Sequence, residues 1–251
     1  MTYRNISVYG VIDLISNLWR RYELRRVANK LPILSGGTVL SGPFAGMRFG
    51  DGRSQSEIMP KLIGSYECEL HDIVESLIKL RFTTIINVGA AEGYYAVGMA
   101  VKCPQAKVVA FEMDDTQAEY CRSTAILNSV ERRVAVRGKC DRKALIEFDL
   151  KNALIIMDCE GAELDILDDD IAPKFVKTWL LIELHDALRP GCSRILWQRY
   201  EKTHVMAFIK AVSRNLEEFA ILKGLSPRRK LLALDEKRLG LQEWVLMTPK
   251  S

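Results

Sequence analysis

The sequence predicts an α/β fold in which a doubly wound, mostly parallel, seven-stranded sheet ends in an antiparallel C-terminal hairpin. Two observations lead to this prediction. Short apolar strands alternate with helical patterns from residue 84 to about residue 214, and two further apolar strands then follow with only a charged loop between them. The chain has 251 residues, 48% of them hydrophobic, which is enough for one sizeable core with extensions.

The first part of the chain is predicted to be an extension, residues 1–59, in front of a single domain, residues 60–251. Apolar residues recur at helical spacing through residues 6–31 beside a run of arginines, which predicts a basic amphipathic helix. Such a helix suits peripheral contact with an anionic membrane, and it equally suits packing on its own domain or in a homodimer. These alternatives stay open.

The remaining elements follow in chain order. Glycine and proline in residues 32–56 predict loops and a small hairpin through Thr38–Leu40 and Met47–Phe49, and a helix is expected from about Ser65 to Leu80. Strands of the parallel part are predicted at 84–88, 107–112, 133–137, 153–158 and 178–183. Helices are predicted at 93–102, 115–128, 141–147, 161–168 and 193–214, the last with a break near Thr203. The final hairpin is predicted from Phe219–Leu225 and Glu243–Thr248.

The turn after the first strand is the most informative segment. It reads N-V-G-A-A-E-G from Asn87 to Gly93, a strand, a glycine turn and a helix start, which α/β folds use to hold nucleotide-like ligands. The next strand ends at Glu112, where a carboxylate accepts hydrogen bonds from both hydroxyls of a ribose. A dinucleotide fingerprint needs glycine where this chain has Ala91. We therefore expect a ligand with ribose and without phosphates, such as S-adenosylmethionine (SAM); the alternative is a turn that binds nothing.

Polar residues also follow the fourth and fifth strands. Asp158 and Glu160 come directly after a buried apolar run, and His185 follows the next one. Ligands of open parallel sheets bind outside the carboxyl ends of the strands, so these three are the candidate catalytic residues. A histidine near its free pKa of about 6.5 accepts a proton from a hydroxyl at neutral pH. Glu163 is interpreted as a helix-start residue, and Glu183 either orients the imidazole or points into the layer below.

Two further possibilities are kept open. Thr203 is predicted to cap an apolar-striped helix in which His204 either reaches the substrate or occupies the first turn. Carboxylates at the ends of the fourth and fifth strands, Asp158 and Asp186 with Glu160 nearby, suit Mg²⁺, although no residue is assigned as a metal ligand.

Four segments together resemble the FkbM-type branch of SAM-dependent methyltransferases: VGAAEGYYA, VVAFE, MDCEGAELDIL and LIELHD. The similarity covers about residues 60–250. It implies a Rossmann-like class I methyltransferase fold, SAM as cofactor, and O-methylation of hydroxyls on sugars, polyketides and related small molecules. It also implies that the segment Pro60–Leu70 folds over the cofactor, with Tyr66 and Glu67 facing it.

The resemblance implies a set of cofactor-binding residues. Gly89, Ala90, Glu92 and Gly93 would line the methionine end, Glu112 would hold the ribose, and Asp141 or its neighbour Cys140 would stand near the adenine. Asn87 and Asp158 complete the set. Many relatives have aspartate at the position of Asn87, which weakens a role for that residue in anchoring the amino group.

Composition limits the remaining classes of function. A formal charge of +4 and an isoelectric point near 8.7 allow nucleic-acid binding without requiring it. We therefore expect a small-molecule or carbohydrate acceptor and no nucleic acid; the alternatives are an RNA methyltransferase and a non-catalytic module on the same fold. Six cysteines scattered singly, no signal peptide and no apolar run of about 20 residues predict a cytoplasmic protein.

Overall fold

The computed structural model describes residues 18–19, 22–23, 25–27, 36–49, 58–236, 238 and 242–250. The predicted amphipathic helix over residues 6–31 lies largely outside these residues, and its described members are helical. Within the described part of the chain, no helix has the length and apolar character needed to cross a bilayer.

Seven strands form one mixed sheet in the order β3-β2-β1-β4-β5-β7-β6. Their bounds are β1 Thr84–Val88, β2 Lys107–Phe111, β3 Val134–Arg137, β4 Ala153–Met157, β5 Trp179–Leu184, β6 His204–Lys210 and β7 Glu243–Pro249. The first five strands are parallel, and β7 runs antiparallel between β5 and β6. The predicted fold class is therefore confirmed, including the antiparallel strands at the C-terminal edge.

Helices separate the parallel strands as the crossover connections require. Their bounds are α1 Met59–Ile63, α2 His71–Lys79, α3 Tyr94–Lys102, α4 Asp115–Leu127, α5 Arg142–Leu145, α6 Glu163–Ile166, α7 Cys192–Tyr200 and α8 Pro227–Ala233. The helix expected from Ser65 begins later, at His71, because Gly64 (φ 82°) and Glu67 (φ 48°) adopt left-handed conformations that end one helix before the next begins.

The prediction for the region after α7 is wrong. The helix expected to continue to residue 214 ends at Tyr200, and His204–Lys210 is strand β6, hydrogen-bonded to β7 along its whole length. Phe219–Leu225 is not a strand and contains the short 3₁₀ helix Ala220–Leu222. The spacing of Val205, Phe208 and Ile209 suits a helix, but pairing with a strand far along the chain outweighs local periodicity.

The central strands β1, β4 and β5 are buried on both faces, which explains their unbroken apolar runs. Along β4, Leu154 and Ile156 point into one core cluster, and Ala153, Ile155 and Met157 point into the other. Polar residues therefore collect where the strands end, at the carboxyl edge of β1, β2, β4 and β5. The small N-terminal hairpin is present as an antiparallel bridge between residues 38 and 48.

Candidate active site

The glycine turn after β1 brings two strand ends into contact. Gly89 has φ 76°, and a Cβ added there would lie 1.6 Å from the carbonyl oxygen of Asp158, at the end of β4. The backbone N–H groups of Gly89 and Ala90 both donate to the carbonyl oxygen of Phe111, each at 3.0 Å. Only glycine fits the first position, so the turn closes tightly over the carboxyl ends of β1, β2 and β4.

Glu112 holds the turn from the end of β2. Its Oε2 accepts a hydrogen bond from the backbone N–H of Ala91 at 2.7 Å, and its Oε1 accepts one from Asp114 N–H at 2.8 Å. A carboxylate offers about four acceptor positions, so each oxygen keeps one for another donor. Ala91 itself has φ 44°, an uncommon value for a residue with a side chain.

A cavity of about 280 Å³ opens beside this turn. Three predicted cofactor residues line it, Gly89, Glu112 and Asp158, and Cys140 lines it as well. Five other predicted cofactor residues do not line it: Asn87, Ala90, Glu92, Gly93 and Asp141.

Those five residues have structural partners or positions of their own. Asn87 is buried in β1, where its Nδ2 donates to the carbonyl oxygen of Ile156 at 3.3 Å. Glu92 is buried against the ammonium of Lys61 at 2.5 Å. Asp141 caps α5, where its Oδ1 accepts the N–H of Ala144 at 2.8 Å. Ala90 is buried in the turn, and Gly93 (φ 92°) is the N-cap residue of α3. Of the two alternatives for the adenine position, the structure places Cys140 in the cavity.

A second cavity, of about 460 Å³, adjoins the first. Asp158 and Glu160 line both cavities, and His185 lines the second. The structure thus brings the three predicted catalytic residues together at the boundary between two cavities. Glu160 has φ 55°, so the chain accepts an unfavourable backbone conformation at this boundary.

His185 is held by Glu163. Its Nδ1 lies 2.8 Å from Glu163 Oε1, while its Nε2 lies 3.5 Å from Asp158 Oδ1 and 3.6 Å from Glu160 Oε2. A carboxylate opposite Nδ1 fixes the proton on that nitrogen in the neutral ring, which leaves the Nε2 lone pair facing the second cavity. Glu163 does begin α6, but the sequence interpretation missed this contact; Glu183, at 3.9 Å from Nε2, does not orient the ring.

The carboxylates also set the charge of the imidazole. Burial alone would lower the pKa of His185, but the hydrogen bond and charge of Glu163, with the charges of Asp158 and Glu160, raise it above its ordinary value. Burial opposes ionisation of Glu163, yet its bonds to His185 and to backbone N–H groups hold its pKa below the usual range. The pair therefore favours a carboxylate on Glu163 and the protonated form of the imidazole.

Asp158 and Glu183 form a pair of carboxyl groups on the other side of the imidazole. Burial raises the pKa of both carboxyl groups, and the charge of Asp158 and the hydrogen bond between them raise the pKa of Glu183 further. Glu183 is therefore protonated at neutral pH. Apart from the bond between these two side chains, Asp158 Oδ1 and Glu183 Oε1 are buried and have no hydrogen-bond partner among the described atoms.

The donor set for a metal differs from the one expected. Asp186 is occupied as a cap of α7, where its carboxylate accepts the N–H groups of Gly191 and Ser193, each at 3.1 Å. Asp158, Glu183 and His185 instead offer ligand atoms that lie within 4.8 Å of one another. One imidazole and two carboxylates suit a divalent cation, so the residues fit a metal ion, with Glu183 in place of Asp186.

One wall of the second cavity is made by two segments that the sequence analysis did not connect. Arg214 joins Glu69 (2.8 Å) to Glu236 (2.5 Å), and Arg238 joins the same two carboxylates. All four side chains are largely buried, and the backbone N–H of Glu67 donates to Glu236 Oε1 at 3.2 Å. This network fastens the segment before α2 to the segment after α8. Tyr66 and Glu67 line the second cavity and do not line the first, whereas the resemblance implied that they face the cofactor.

His204 lies at the other end of the sheet. Its Nε2 bonds the carbonyl oxygen of Thr178 at 2.9 Å, immediately before β5, whereas His185 immediately follows β5. Burial lowers the pKa of His204. The expectation that His204 opens a helix is wrong, and its position excludes contact with the two cavities.

No protein-family model and no curated protein matches this sequence. Solved structures do resemble the fold. The O-methyltransferase TomG from Streptomyces achromogenes, involved in tomaymycin synthesis and solved in complex with SAM, is 12% identical and has a TM-score of 0.51, with 80% of this chain and 92% of its own covered. The O-methyltransferase from Bacillus cereus in complex with SAH is 12% identical with a TM-score of 0.48 and 91% of each chain covered. The precorrin-6Y C5,15-methyltransferase from Geobacter metallireducens GS-15 is 11% identical with a TM-score of 0.49, covering 73% of this chain and 88% of its own.

The sheet order together with the similarity to TomG decides the architecture. It is the class I methyltransferase fold. In an open α/β sheet of this kind, ligands bind outside the carboxyl ends of the strands, and both cavities lie there. At 12% identity the comparison establishes the methyltransferase fold alone.

Proposed function

We propose that this chain is a SAM-dependent O-methyltransferase, of the FkbM type, acting on a hydroxyl of a small molecule or sugar. The single observation that carries the proposal is the meeting of two cavities at Asp158 and Glu160, with His185 Nε2 facing the second one. The first cavity takes the cofactor and the second takes the acceptor.

The residues around the first cavity fit SAM. Glu112 keeps one free acceptor position on each oxygen, which matches the two hydroxyls of a ribose. The turn from Gly89 to Gly93 lacks the second glycine that lets a backbone approach a pyrophosphate, which suits a nucleoside without phosphates. The structurally similar TomG was solved with SAM.

The reaction needs alignment and removal of one proton. When bound, SAM supplies a methyl group whose carbon takes an electron pair from the acceptor oxygen as the carbon–sulfur bond breaks. His185 Nε2 accepts the hydroxyl proton, and Glu163 stabilises the imidazolium that forms. Asp158 and Glu160 position the hydroxyl at the boundary between the cavities.

Cofactor binding is tested by calorimetric titration with S-adenosylhomocysteine. Replacing Glu112 with Ala removes two charge-assisted bonds to the ribose, and we expect a loss of about 2–3 kcal/mol in binding free energy. Glu119→Ala, the same substitution on the neighbouring helix surface, is the matched control. Equal affinities for the two variants would mean that Glu112 does not hold the ribose.

Turnover is tested with methyl-labelled SAM and cell extracts divided into small-molecule and RNA fractions. We expect label in the small-molecule fraction, and we expect His185→Ala to reduce it by roughly 10²–10⁴-fold with unchanged cofactor affinity. Label in RNA supports the RNA methyltransferase alternative. Cofactor binding without label in either fraction supports a non-catalytic module.

Chelation separates two ways of activating the hydroxyl. With His185 as the base, turnover survives EDTA and rises with pH through the pKa of that residue. A divalent cation held by Asp158, Glu183 and His185 would instead lower the pKa of the hydroxyl, and turnover would then be lost in EDTA and restored by Mg²⁺.

A further inference from the structure

The described residues of the N-terminal segment pack one side against α8 and the core. Glu23 and Val27, one helical turn apart, are buried, and Glu23 Oε2 accepts a hydrogen bond from Arg229 Nε at 2.9 Å. The guanidinium of Arg228 lies over the ring of Trp19, 3.9 Å from the ring centre. These contacts fix which face of the segment is turned toward the domain.

The opposite face of the segment is exposed to solvent. Leu18 and Tyr22, also one turn apart, are 56% and 57% exposed, and Arg25 lies nearly one turn further along. Leu231 of α8 adds an apolar side chain that is 59% exposed. Large apolar side chains grouped at a surface mark interaction sites. The exposed residues Leu18, Trp19, Tyr22, Arg25, Arg228 and Leu231 form what we call the outer patch.

A cavity of about 720 Å³ opens at the outer patch. Trp19, Arg228 and Leu231 line it, so the N-terminal segment and α8 share one continuous surface. Residues 211–214, which directly follow the edge strand β6, line it as well. Glu236 and Arg238 line both this cavity and the second cavity of the candidate active site. A body bound at the outer patch would therefore lie next to that second cavity.

The net charge of the chain is concentrated in the N-terminal segment. Residues 1–30 contain six basic and two acidic residues, so their formal charge of +4 equals the charge of the whole chain. Residues 31–251 hold thirty residues of each sign and are neutral overall. Both charged members of the outer patch, Arg25 and Arg228, are exposed arginines. The outer patch is therefore complementary to an anionic partner.

The chemistry of the outer patch distinguishes three kinds of occupant. A second copy of this chain would place the same basic surface against itself across a two-fold axis, so like charges would face each other. A nucleic acid attracts arginine through its phosphates, but they offer nothing to the aliphatic side chains of Leu18 and Leu231. An anionic bilayer suits every member, because it offers phosphates to arginine, an interface to aromatic rings and an acyl boundary to leucine.

We infer that the outer patch binds the surface of an anionic phospholipid bilayer without crossing it. Leu18 and Leu231 enter the boundary between headgroups and acyl chains, and Tyr22 lies at the level of the headgroups. Arg25 and Arg228 meet the lipid phosphates. Binding of this kind needs no cofactor, so the inference is independent of the proposed methyl transfer.

Sedimentation of the full chain with lipid vesicles tests the inference. The vesicles contain phosphatidylcholine alone or phosphatidylcholine with about one third phosphatidylglycerol, an anionic lipid. We expect binding to the anionic vesicles to be at least about tenfold tighter, and to weaken as added salt screens the charges. Absence of binding to anionic vesicles at low salt, or equal binding to both kinds, would overturn the inference.

Two variants separate the basic from the apolar contribution. Arg25→Gln should weaken binding to anionic vesicles about fivefold, and Leu231→Ser should weaken it about five- to tenfold. The matched controls are Arg132→Gln, just before β3, and Ile126→Ser on α4, where the side chain is 63% exposed. These positions lie at the other edge of the sheet, so both controls should bind as the unmodified protein does.

Thermal unfolding at an unchanged temperature shows that each variant is folded. The inference is wrong if a control loses as much binding as its partner variant. It is also wrong if Leu231→Ser binds normally, because the attraction is then electrostatic alone.

Competition identifies the other occupants. Random-sequence RNA, at the same concentration of phosphate as the vesicles, should leave the protein on the anionic vesicles; complete displacement would assign the outer patch to nucleic acid. Analytical ultracentrifugation without lipid gives the oligomeric state. A dimer that Leu231→Ser dissociates, and that Ile126→Ser leaves intact, would assign the outer patch to a second copy of the chain.

Discussion

Replacing Glu163 with Gln gives a direct test of how the candidate base is held. Glu163 Oε1 lies 2.8 Å from His185 Nδ1, the glutamate is fully buried, and the histidine side chain is 10% exposed. A hydrogen bond to a charged partner contributes about 1.5–3 kcal/mol, and one pKa unit corresponds to about 1.36 kcal/mol. Loss of the charge should therefore lower the pKa of His185 by roughly one to two units.

The measurement is an NMR titration of the imidazole Cε1–H signals, which needs no acceptor. The chain contains three histidines, so His185→Gln assigns the signal, and His71 and His204 serve as internal references because neither contacts Glu163. Asp165→Asn, on the same short helix but paired with Arg189 on the surface, is the matched control and should leave the His185 titration unchanged.

The same variant predicts a pH dependence of stability. The raised pKa of His185 contributes stability that is present below its unfolded value and is lost as pH rises through the folded value. The lowered pKa of Glu163 contributes stability that is present above its unfolded value and is lost as pH falls through the folded value. Glu163→Gln should therefore destabilise most between the folded pKa values of these two groups, and less at higher pH.

Turnover should fall by roughly 10²–10⁴-fold in this variant, because a glutamine amide can donate to Nδ1 and leave the proton on Nε2. The reasoning is refuted if the pKa of His185 in the unmodified protein lies at or below about 6.5. It is equally refuted if Glu163→Gln and the unmodified protein give the same His185 titration.

The remaining predictions concern the fold and the extension. Gly89→Ala forces a side chain into a left-handed conformation, which costs about 1–2 kcal/mol, and also places its Cβ against the carbonyl oxygen of Asp158. Thermal unfolding should therefore show a large loss of stability. Gly138→Ala, where an added Cβ meets nothing within 4 Å, should show little loss of stability. His204→Ala should lower the free energy of unfolding by about 1–3 kcal/mol in denaturant titrations while S-adenosylhomocysteine affinity stays unchanged, and a loss of affinity would contradict a purely structural role. Deleting residues 1–30 should preserve that affinity and alter either oligomeric state in ultracentrifugation or co-sedimentation with anionic vesicles; failure to fold would assign the helix to the core.

The sequence determined the parallel part of the sheet to within one residue at each strand end. Strands buried on both faces are short apolar runs, and turn residues such as Gly89 mark where they end. The pattern can therefore be recognised from neighbouring residues alone. The same local rule led to His185, Asp158 and Glu160. Strand ends of a parallel sheet share one edge, and polar residues placed just after them therefore converge whatever the details of packing.

Tertiary structure alone decided the C-terminal edge and the partners within the site. His204–Lys210 forms a strand because β7 lies beside it, and a partner some forty residues away leaves no mark on local periodicity. The bond from Glu163 to His185 depends on side-chain directions at two separate strand ends, and the wall held by Arg214 depends on segments about 145 residues apart meeting at one cavity. Sequence spacing predicts which polar residues reach an edge of the sheet. Only the packed structure shows which of those residues share a proton, balance one another's charge or line the same cavity.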